Sequence, residues 1–336
     1  MKVLERIEQN PDILPGLSST RRGLPLVSFI IPILNGERDI ARCLSSIRHQ
    51  KVPVETYEVL ILDNGSTDQT QRIVHDLGFD CQVVPNVHVS ALRNRGVSQA
   101  QGNYVAFVDA DVELTPDWLQ NGLTVFEDTS VVASGCFPSV PPKATWVQRA
   151  WDAHQRPGAL ASTPWPVPWL PSMNLIVRRN DFLAVSGFNE RLVTAEDVDL
   201  CYRLRQRGTI LCNPAMQAIH WGEARDLRTF WRKEAWRGIG NLRGVLSHGL
   251  RWDEFPSLGY PLYVLGGTLF FVLGSIADVQ RGQCTLALIS LVLLLLPALF
   301  LALKTARLAK RPVLIPPLFL LYLVYGFARA YAIVKP

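Results

Sequence analysis

The stretch "YVAFVDADVEL", Tyr104–Leu114, begins as an apolar run and then presents two acids separated by a single residue. Its first half has the β-branched and aromatic composition of a strand buried in a sheet. The acids, Asp109 and Asp111, follow directly, at a place where an unpartnered buried charge would cost free energy. A strand that ends in this way predicts a ligand site at the edge of a sheet.

Three more apolar runs precede this stretch, and segments with helical spacing separate the runs. These runs read "LVSFIIPIL", "YEVLILD" and "CQVVP", and helical spacing appears at Ile40, Leu44 and Ile47 and again over Thr67–Leu77. The alternation predicts an α/β fold with a mainly parallel, Rossmann-like sheet and helices on both faces. Ligands bind such sheets outside the carboxyl ends of the strands, where Asn35, Asp63 and Asp109 fall.

Composition separates the chain of 336 residues into an N-terminal region and an apolar C-terminal region that carries almost no acid. The first 25 residues are polar and lack the apolar core of a signal sequence, so we expect the N-terminal region to stay in the cytoplasm. Six scattered cysteines indicate neither a zinc site nor a disulfide framework. A net charge of +5 does not call for a nucleic-acid partner.

Three apolar stretches near the C-terminus approach the roughly 20 residues that cross a bilayer. They are residues 258–277, 284–303 and 313–334, although Pro316, Pro317 and Arg329 weaken the third. The loop Lys304–Pro312 is basic, and it falls on the cytoplasmic side if the N-terminal domain does. The sequence therefore predicts a multi-pass membrane protein whose N-terminal domain is cytoplasmic.

Four segments result: an N-terminal extension (1–25), an α/β domain (26–224), a basic juxtamembrane segment (225–257) and a membrane domain (258–336). The basic segment has near-helical apolar spacing, which suits a helix on an anionic membrane surface or a solvated helix packed on the domain.

The segment Pro138–Pro171 holds eight prolines and four tryptophans, which predicts a long loop, either packed or forming a binding lid.

The segment "TAEDVDLCYRLRQRG" predicts a helix with Thr194 as its N-cap and Gly208 as its terminator. Three acids fall in its first turn, namely Glu196, Asp197 and Asp199. The favourable interaction of acids with a helix N-terminus would by itself explain them.

Two carboxylates one residue apart at the mouth of a parallel sheet form a hard oxygen site. Such a site suits Mg²⁺ or Mn²⁺ that keeps part of its coordination shell for phosphate. The D-x-D pattern alone is a weak signal, and its position at the end of an apolar strand strengthens it.

The chain resembles the family 2 glycosyltransferases, which have the GT-A fold, from about Val27 to Trp221. The similar segments occur in the family's order: "VSFIIPILNGERDIARCLSSI", "VLILDNGSTDQT", "ALRNRGVSQAQGNYVAFVDADVEL", "MNLIVRRNDFLAVSGFNERLVTAEDVDLCYRLRQRG" and "AIHW". By this resemblance the protein is expected to be a metal-dependent, inverting glycosyltransferase that uses a nucleotide-sugar donor.

The resemblance also implies roles for individual residues. Asp63 is expected to meet the donor's base, Asp109 its ribose or the metal, and Asp111 the metal that bridges the diphosphate. Asp197 is expected to be the general base, with Glu196 as its helper or substitute. Pro32, Asn35 and Glu37 are further donor candidates. Arg93 and Arg95 are either donor residues at the diphosphate or solvated helix residues, and His220 is a third metal ligand, a diphosphate contact or a packed core residue.

A base in the first turn of a helix has its charged form stabilised, which keeps Asp197 ionised at neutral pH and lowers its basicity. Such a base still serves if the hydroxyl loses its proton late, in the transition state.

Two departures from the family pattern leave base recognition open: Leu34 stands where an aromatic residue is common, and Asn64 stands where a second Asp is usual. The Q-x-x-R-W signature of processive synthases is absent, and "WRKEAWRG" occupies its region. We therefore expect transfer of a single sugar to a hydroxyl of a lipid-linked or cell-envelope glycan acceptor. A polyprenyl-phosphate sugar synthase and a catalytically silent nucleotide-binding subunit of a membrane complex are the alternatives.

Overall fold

The computed structural model of the chain describes residues 24–156, 162–248 and 255–334, and the predicted N-terminal extension lies almost entirely outside them. Contacts divide the chain into two compact units. The α/β unit comprises Met1–Pro141 and Ala159–Gly222, and the helical unit comprises Pro142–Gly158 and Glu223–Pro336.

The α/β unit contains ten strands and six helices among its described residues. The strands are β1 (Val27–Ile33), β2 (Tyr57–Asp63), β3 (Cys81–Val83), β4 (Tyr104–Val108), β5 (Val112–Leu114), β6 (Val131–Gly135), β7 (Trp165–Pro166), β8 (Asn174–Arg178), β9 (Thr209–Cys212) and β10 (Ala218–His220). The helices are α1 (Ile40–Arg48), α2 (Thr70–Asp76), α3 (Val89–Gln99), α4 (Trp118–Thr124), α6 (Arg179–Ala184) and α7 (Glu196–Leu204), and helix α5 belongs to the helical unit. Short 3₁₀ turns occupy Val54–Thr56 and Val125–Glu127.

Eight strands form one mixed sheet in the order β3-β2-β1-β4-β8-β6-β9-β7, and β5 and β10 form a separate antiparallel pair. Strands β3, β2, β1 and β4 run parallel, which confirms the predicted α/β sheet. All seven residues of β1 are buried. Phe29 and Ile31 pack into the core on one face of the sheet and Ile30 into the core on the other, as expected for a strand covered by helices on both sides.

The helical unit contains α5 (Trp146–Gln155), α8 (Leu227–His248), α9 (Phe255–Arg281), α10 (Thr285–Leu308) and α11 (Ile315–Val334), with a 3₁₀ turn at Pro312–Leu314. Helix α5 shows that the long-loop prediction for Pro138–Pro171 is wrong over this range. Thr145 and Gln148 form a capping box, in which each side chain bonds the other's backbone N–H, and this box begins a helix between the prolines. Residues 157–161 of the predicted loop lie outside the described residues.

Three helices of this unit are long and apolar enough to cross a membrane: Gly259–Arg281, Thr285–Leu308 and Pro312–Val334. The third is a regular helix despite Pro316 and Pro317, because prolines in the first turn of a helix remove no hydrogen bond that the helix needs. Large apolar side chains along α9 and α10, such as Leu269 and Phe300, are exposed. This exposure is expected of helices whose surroundings are hydrocarbon.

Arg329, which weakens the third apolar stretch, forms an ion pair within the helical unit. Its Nη2 lies 2.9 Å from Oε2 of the buried Glu234 on α8, and Arg237 Nη1 lies 2.6 Å from the other oxygen of that carboxylate. Helix α8 therefore packs one face on α11 of the same unit, whereas the packed alternative for the basic segment places it on the α/β domain. Its outer face carries the exposed Arg228, Arg232 and Trp236, and a membrane-surface role for that face stays a prediction.

Candidate active site

The two acids of "DADV" lie on a tight turn between β4 and β5. Strand β4 is buried along its whole length and ends at Val108, and the backbone N–H of Val112 bonds the carbonyl of Asp109 across the turn at 3.0 Å. The side chains emerge partly exposed, Asp109 at 28 % and Asp111 at 35 % of their surface. The turn thus presents both carboxylates at the carboxyl edge of the sheet, where the sequence predicts them.

His220 lies beside Asp111, because β10 pairs antiparallel with β5 so that His220 stands opposite Val112. His220 Nε2 is 3.2 Å from Asp111 Oδ2, and only 6 % of the His220 side chain is exposed. Gly222 completes the corner, since a Cβ at this position would overlap the Asp111 carboxylate and lie 2.9 Å from His220 Nε2. The structure therefore brings the predicted metal residues Asp111 and His220 together.

A divalent cation fits this corner if a substrate supplies part of its coordination shell. Carboxylate and imidazole atoms are suitable ligands for Mn²⁺. Among the described residues no group of three His, Cys, Asp or Glu side chains is arranged to hold a metal, and Asp111 and His220 are the two that lie together at this corner. The remaining positions would go to phosphate oxygens and water, as is usual for Mg²⁺ and Mn²⁺ in nucleotide sites.

A clamp that the sequence reasoning missed holds this corner. The Trp221 indole N–H donates to Glu113 Oε2 at 2.8 Å, and the Arg42 guanidinium lies 3.8 Å over the Trp221 ring. The backbone N–H of Trp221 also donates to the carbonyl of Asp111 at 2.9 Å. Trp221 belongs to "AIHW", which was a partial signal, but its partner Glu113 lies more than 100 residues away.

Arg93 joins the turn to helix α7. One of its terminal nitrogens lies 2.8 Å from Asp109 Oδ1 and the other 2.9 Å from Glu196 Oε1, and only 3 % of its side chain is exposed. The two carboxylates hold the pKa of Arg93 above its usual value against the opposing effect of burial. The sequence left Arg93 as a diphosphate contact or a solvated helix residue; in the structure it is not solvated but forms a buried bridge between two candidate acids.

Helix α7 begins in a different way from the prediction. Its N-cap is Ala195, in the left-handed region at φ 61°, and no side chain caps the helix. Thr194 is buried one residue earlier. The helix ends at Leu204, and Gly208 instead allows a close approach, since a Cβ there would overlap the carbonyl of Ser130. The cap interpretation is therefore wrong at both ends of the helix.

The pKa of Asp197 is also contrary to expectation. Desolvation of this partly buried carboxyl and the neighbouring Glu196 carboxylate raise its pKa, Arg93 lowers it in part, and together these effects give a pKa of about 7. The predicted reduction in basicity by the helix N-terminus is therefore wrong, because burial and a like charge outweigh that interaction. Asp199 in the same turn is paired with Arg203 at 2.5 Å, so the three acids of the turn have different environments.

The predicted donor residues on the first two strands form a network between loops. Asn35, at φ 51°, accepts a hydrogen bond from the backbone N–H of Thr67 at 2.9 Å, and Glu37 accepts one from Gln69 at 3.0 Å. Asp63 is fully buried. Its carboxylate accepts bonds from the Ser66 N–H and hydroxyl at 2.8 and 2.7 Å and from Gln71 at 2.6 Å.

This network joins the loops that follow β1 and β2, so Asn35, Glu37 and Asp63 all accept hydrogen bonds from within the protein. Asp63 has no exposed surface, so contact with a nucleobase would require neighbouring groups to move, and its role toward the base stays a prediction. Pro32 is buried within β1 opposite Leu62, and Arg95 is exposed on α3. Their donor contacts stay predictions as well.

Comparisons with known proteins concern the family and the fold of this chain. Residues 28–185 match the model of Glycosyl transferase family 2. The glycosyltransferase AglE of Haloferax volcanii is 28 % identical over 207 residues, which cover 57 % of this chain and 68 % of that protein. The pre-mycofactocin glycosyltransferase of Mycobacterium tuberculosis is 26 % identical over 257 residues, which cover 72 % of this chain but only 51 % of that protein.

The solved structure of the mannosyltransferase PcManGT from Pyrobaculum calidifontis, in complex with GDP-Man and Mn²⁺, resembles this structure with a TM-score of 0.60. The two are 18 % identical, and the match covers 93 % of this chain and 88 % of that one. At this identity the likeness shows the fold alone, which is the GT-A fold.

Proposed function

We propose that this chain, whose residues 28–185 match the model of Glycosyl transferase family 2, is a glycosyltransferase of that family and catalyses metal-dependent, inverting transfer of a single sugar. The donor is a nucleotide sugar, and the acceptor group is a hydroxyl. The observation that carries the proposal is Asp197: a partly buried carboxyl whose pKa is raised to about 7 stands on a helix that Arg93 connects to the turn bearing Asp109 and Asp111.

In the proposed reaction the acceptor oxygen attacks the anomeric carbon of the donor sugar. The bond from that carbon to the diphosphate breaks on the opposite face, and the nucleoside diphosphate leaves with the bonding electrons. Asp197 accepts the hydroxyl proton, a task that suits a carboxyl with a pKa near the working pH. One displacement inverts the anomeric centre, and no covalent enzyme intermediate is required.

Asp111 and His220 are the residues that would hold the divalent cation, and Asp109 is a third candidate whose Oδ1 is already bonded to Arg93. A bound Mg²⁺ or Mn²⁺ supplies a Lewis acid that neutralises charge on the departing diphosphate. The Trp221 and Glu113 contacts fix the orientation of this corner before any ligand binds.

We place the acceptor at a membrane. Three candidate spanning helices in the helical unit support a membrane location, and a lipid-linked or envelope glycan acceptor would be confined to the same surface. The basic loop Lys304–Pro312 favours a cytoplasmic catalytic domain, because cytoplasmic loops carry an excess of Lys and Arg. Of the relatives named above only the pre-mycofactocin glycosyltransferase has an acceptor in its name, so the acceptor's identity is left to experiment.

The test is transfer from a panel of nucleotide sugars by the purified full chain with Mg²⁺ or Mn²⁺. Wild type is compared with Asp111→Ala and Asp197→Asn. We expect both variants to lose on the order of 10²–10⁴-fold in rate, the usual contribution of a positioned acid or base. Full activity in both variants would refute the site assignment.

Two other functions predict different outcomes of this experiment. A polyprenyl-phosphate sugar synthase uses a phosphate acceptor, which needs no strong base, so Asp197→Asn would have a mild effect there. A silent nucleotide-binding subunit would bind donor without transfer or hydrolysis. Asp109, Asp111, Glu196 and Asp197 are all intact, which supports an active enzyme.

A further inference from the structure

Arg93 has the geometry of a cross-link between two elements that are distant in the chain. Asp109 follows strand β4 directly and lies sixteen residues from Arg93 in the chain. Glu196 is the first residue of the helix that carries the proposed base, and it lies 103 residues from Arg93. A planar guanidinium can hold two carboxylates at once in fixed directions, which a lysine ammonium cannot do.

The neighbour of Arg93 on α3 strengthens this connection. Asn94 accepts a hydrogen bond from the Phe188 N–H and donates to the Phe188 carbonyl, each at 2.9 Å, and it also donates to Glu190. Arg93 lies over the Phe188 ring at 5.3 Å. Gly187, at φ 65°, permits this approach, because a Cβ there would lie 2.6 Å from Asn94 Oδ1. Helix α3 thus holds both the start of α7 and the segment that leads to it.

We infer that Arg93 is a positioning residue, whose bonds to Asp109 and Glu196 set the place of the Asp197 carboxylate relative to the donor end of the site. The inference rests on the proposed function, because it assigns Arg93 to that same reaction. In this role Arg93 acts through Asp109 and Glu196 and does not contact the diphosphate directly. With 3 % of its side chain exposed and both terminal nitrogens bonded to carboxylates, Arg93 has little surface for a substrate.

The experiment compares Arg93→Lys and Arg93→Met with Arg207→Lys and Arg207→Met in the full chain. Arg207 is a matched control, because it forms one ion pair with Asp181 at 2.7 Å and is 43 % exposed. Arg93→Lys keeps a positive charge and covers the case in which Arg93→Met does not fold. The readouts are kcat and donor KM for transfer, and hydrogen exchange of the amides of Val198–Cys201.

In Arg93→Lys we expect kcat to fall about 100-fold, the cost of misplacing a reacting group by roughly 1 Å, while the donor KM changes much less. The amides of Val198–Cys201 should exchange faster in this variant. Both Arg207 variants should match wild type in both readouts. A loss of stability alone would lower kcat only in proportion to the folded fraction.

Unchanged exchange at Val198–Cys201 overturns the inference whatever the activity. A fall in kcat without that local change would mean that Arg93 touches the substrate itself, and it also overturns the inference. If wild type transfers no sugar while exchange rises locally in the Arg93 variants, the proposed function fails and the bridge is retained. The two failures are therefore distinguishable.

Discussion

The α/β unit holds two groups of polar residues at the carboxyl edge of its sheet, and they differ in what their oxygens do. In the group at the ends of β1 and β2, Asp63 is fully buried and its oxygens accept bonds from Ser66 and Gln71. In the group at the end of β4 and the start of α7, Asp111 is 35 % exposed and the pKa of Asp197 is raised.

The difference shows that acids at one edge of the sheet can have two roles: one group stabilises the loops, and the other has the properties that the reaction needs. Carboxylates that accept several hydrogen bonds from nearby backbone and side chains stabilise a loop. A carboxyl placed beside another acid and away from water gains affinity for a proton, which is the property a general base needs. Position on the edge is therefore common to both groups, and the partners of each acid decide its use.

We expect the largest effect on transfer from substitution of Asp197 and almost none from substitution of its neighbour Asp199. We expect Asp197→Asn to lower kcat/KM for transfer by about 10³-fold, whereas Asp199→Asn, which only weakens the pair with Arg203, should stay near wild type. In wild type the rate should rise with pH through about 7, because the base must lose its proton, and this limb should vanish in Asp197→Asn. Transfer rates from pH 5 to 9 check this, and equal losses in the two variants would remove the distinction between the acids.

The raised pKa of Asp197 also determines the direction in which the stability of the fold changes with pH. A carboxyl whose folded pKa lies above its unfolded value binds more protons in the folded state, so it lowers stability as pH rises from about 4 to about 7. Asp197→Asn should therefore unfold at a higher temperature than wild type at pH 8, with a smaller difference at pH 4.

An effect of intermediate size tests the clamp on the metal corner. Trp221→Phe removes the indole N–H that donates to Glu113, and we expect Mn²⁺ affinity in the presence of a nucleoside diphosphate to fall about tenfold, as for other residues that orient metal ligands. The exposed Trp236→Phe is the control. Titration calorimetry measures the affinity, and an unchanged value would show that His220 and Asp111 are placed without the clamp.

The smallest effect on catalysis is expected at Asp63. Asp63→Asn should lower the free energy of unfolding by about 2 kcal/mol, because hydrogen bonds to a buried charged acceptor are weakened, yet leave kcat and donor KM per folded molecule nearly unchanged. The exposed Asp80→Asn serves as control. Urea unfolding and donor kinetics check this prediction. A large rise in donor KM would instead place Asp63 at the nucleobase and make the two groups of acids alike.

The parts of the fold that the sequence predicted are those with strong local patterns. Strand β1 and helix α1 have unbroken apolar runs or regular spacing, and the structure confirms both. Helix α5 was missed because prolines and tryptophans concealed it, although Thr145 and Gln148 have the spacing of a capping box. A cap signal of two residues is weak beside eight prolines in the same segment.

For the site, the sequence determined which residue types stand at the ends of β4 and β5. It predicted Asp111 as a metal ligand and left His220 as a metal ligand, a diphosphate contact or a core residue, and the structure brings the two side chains together. It determined the apolar helices as well, because a composition that cannot be solvated is visible residue by residue. Only the tertiary structure decided the partner of each charge: Arg93 between Asp109 and Glu196, Glu113 under Trp221, and Glu234 on Arg329. The physical reason is that pKa and hydrogen bonding depend on groups within a few ångströms, and chain topology brings these groups together from positions tens to more than a hundred residues apart.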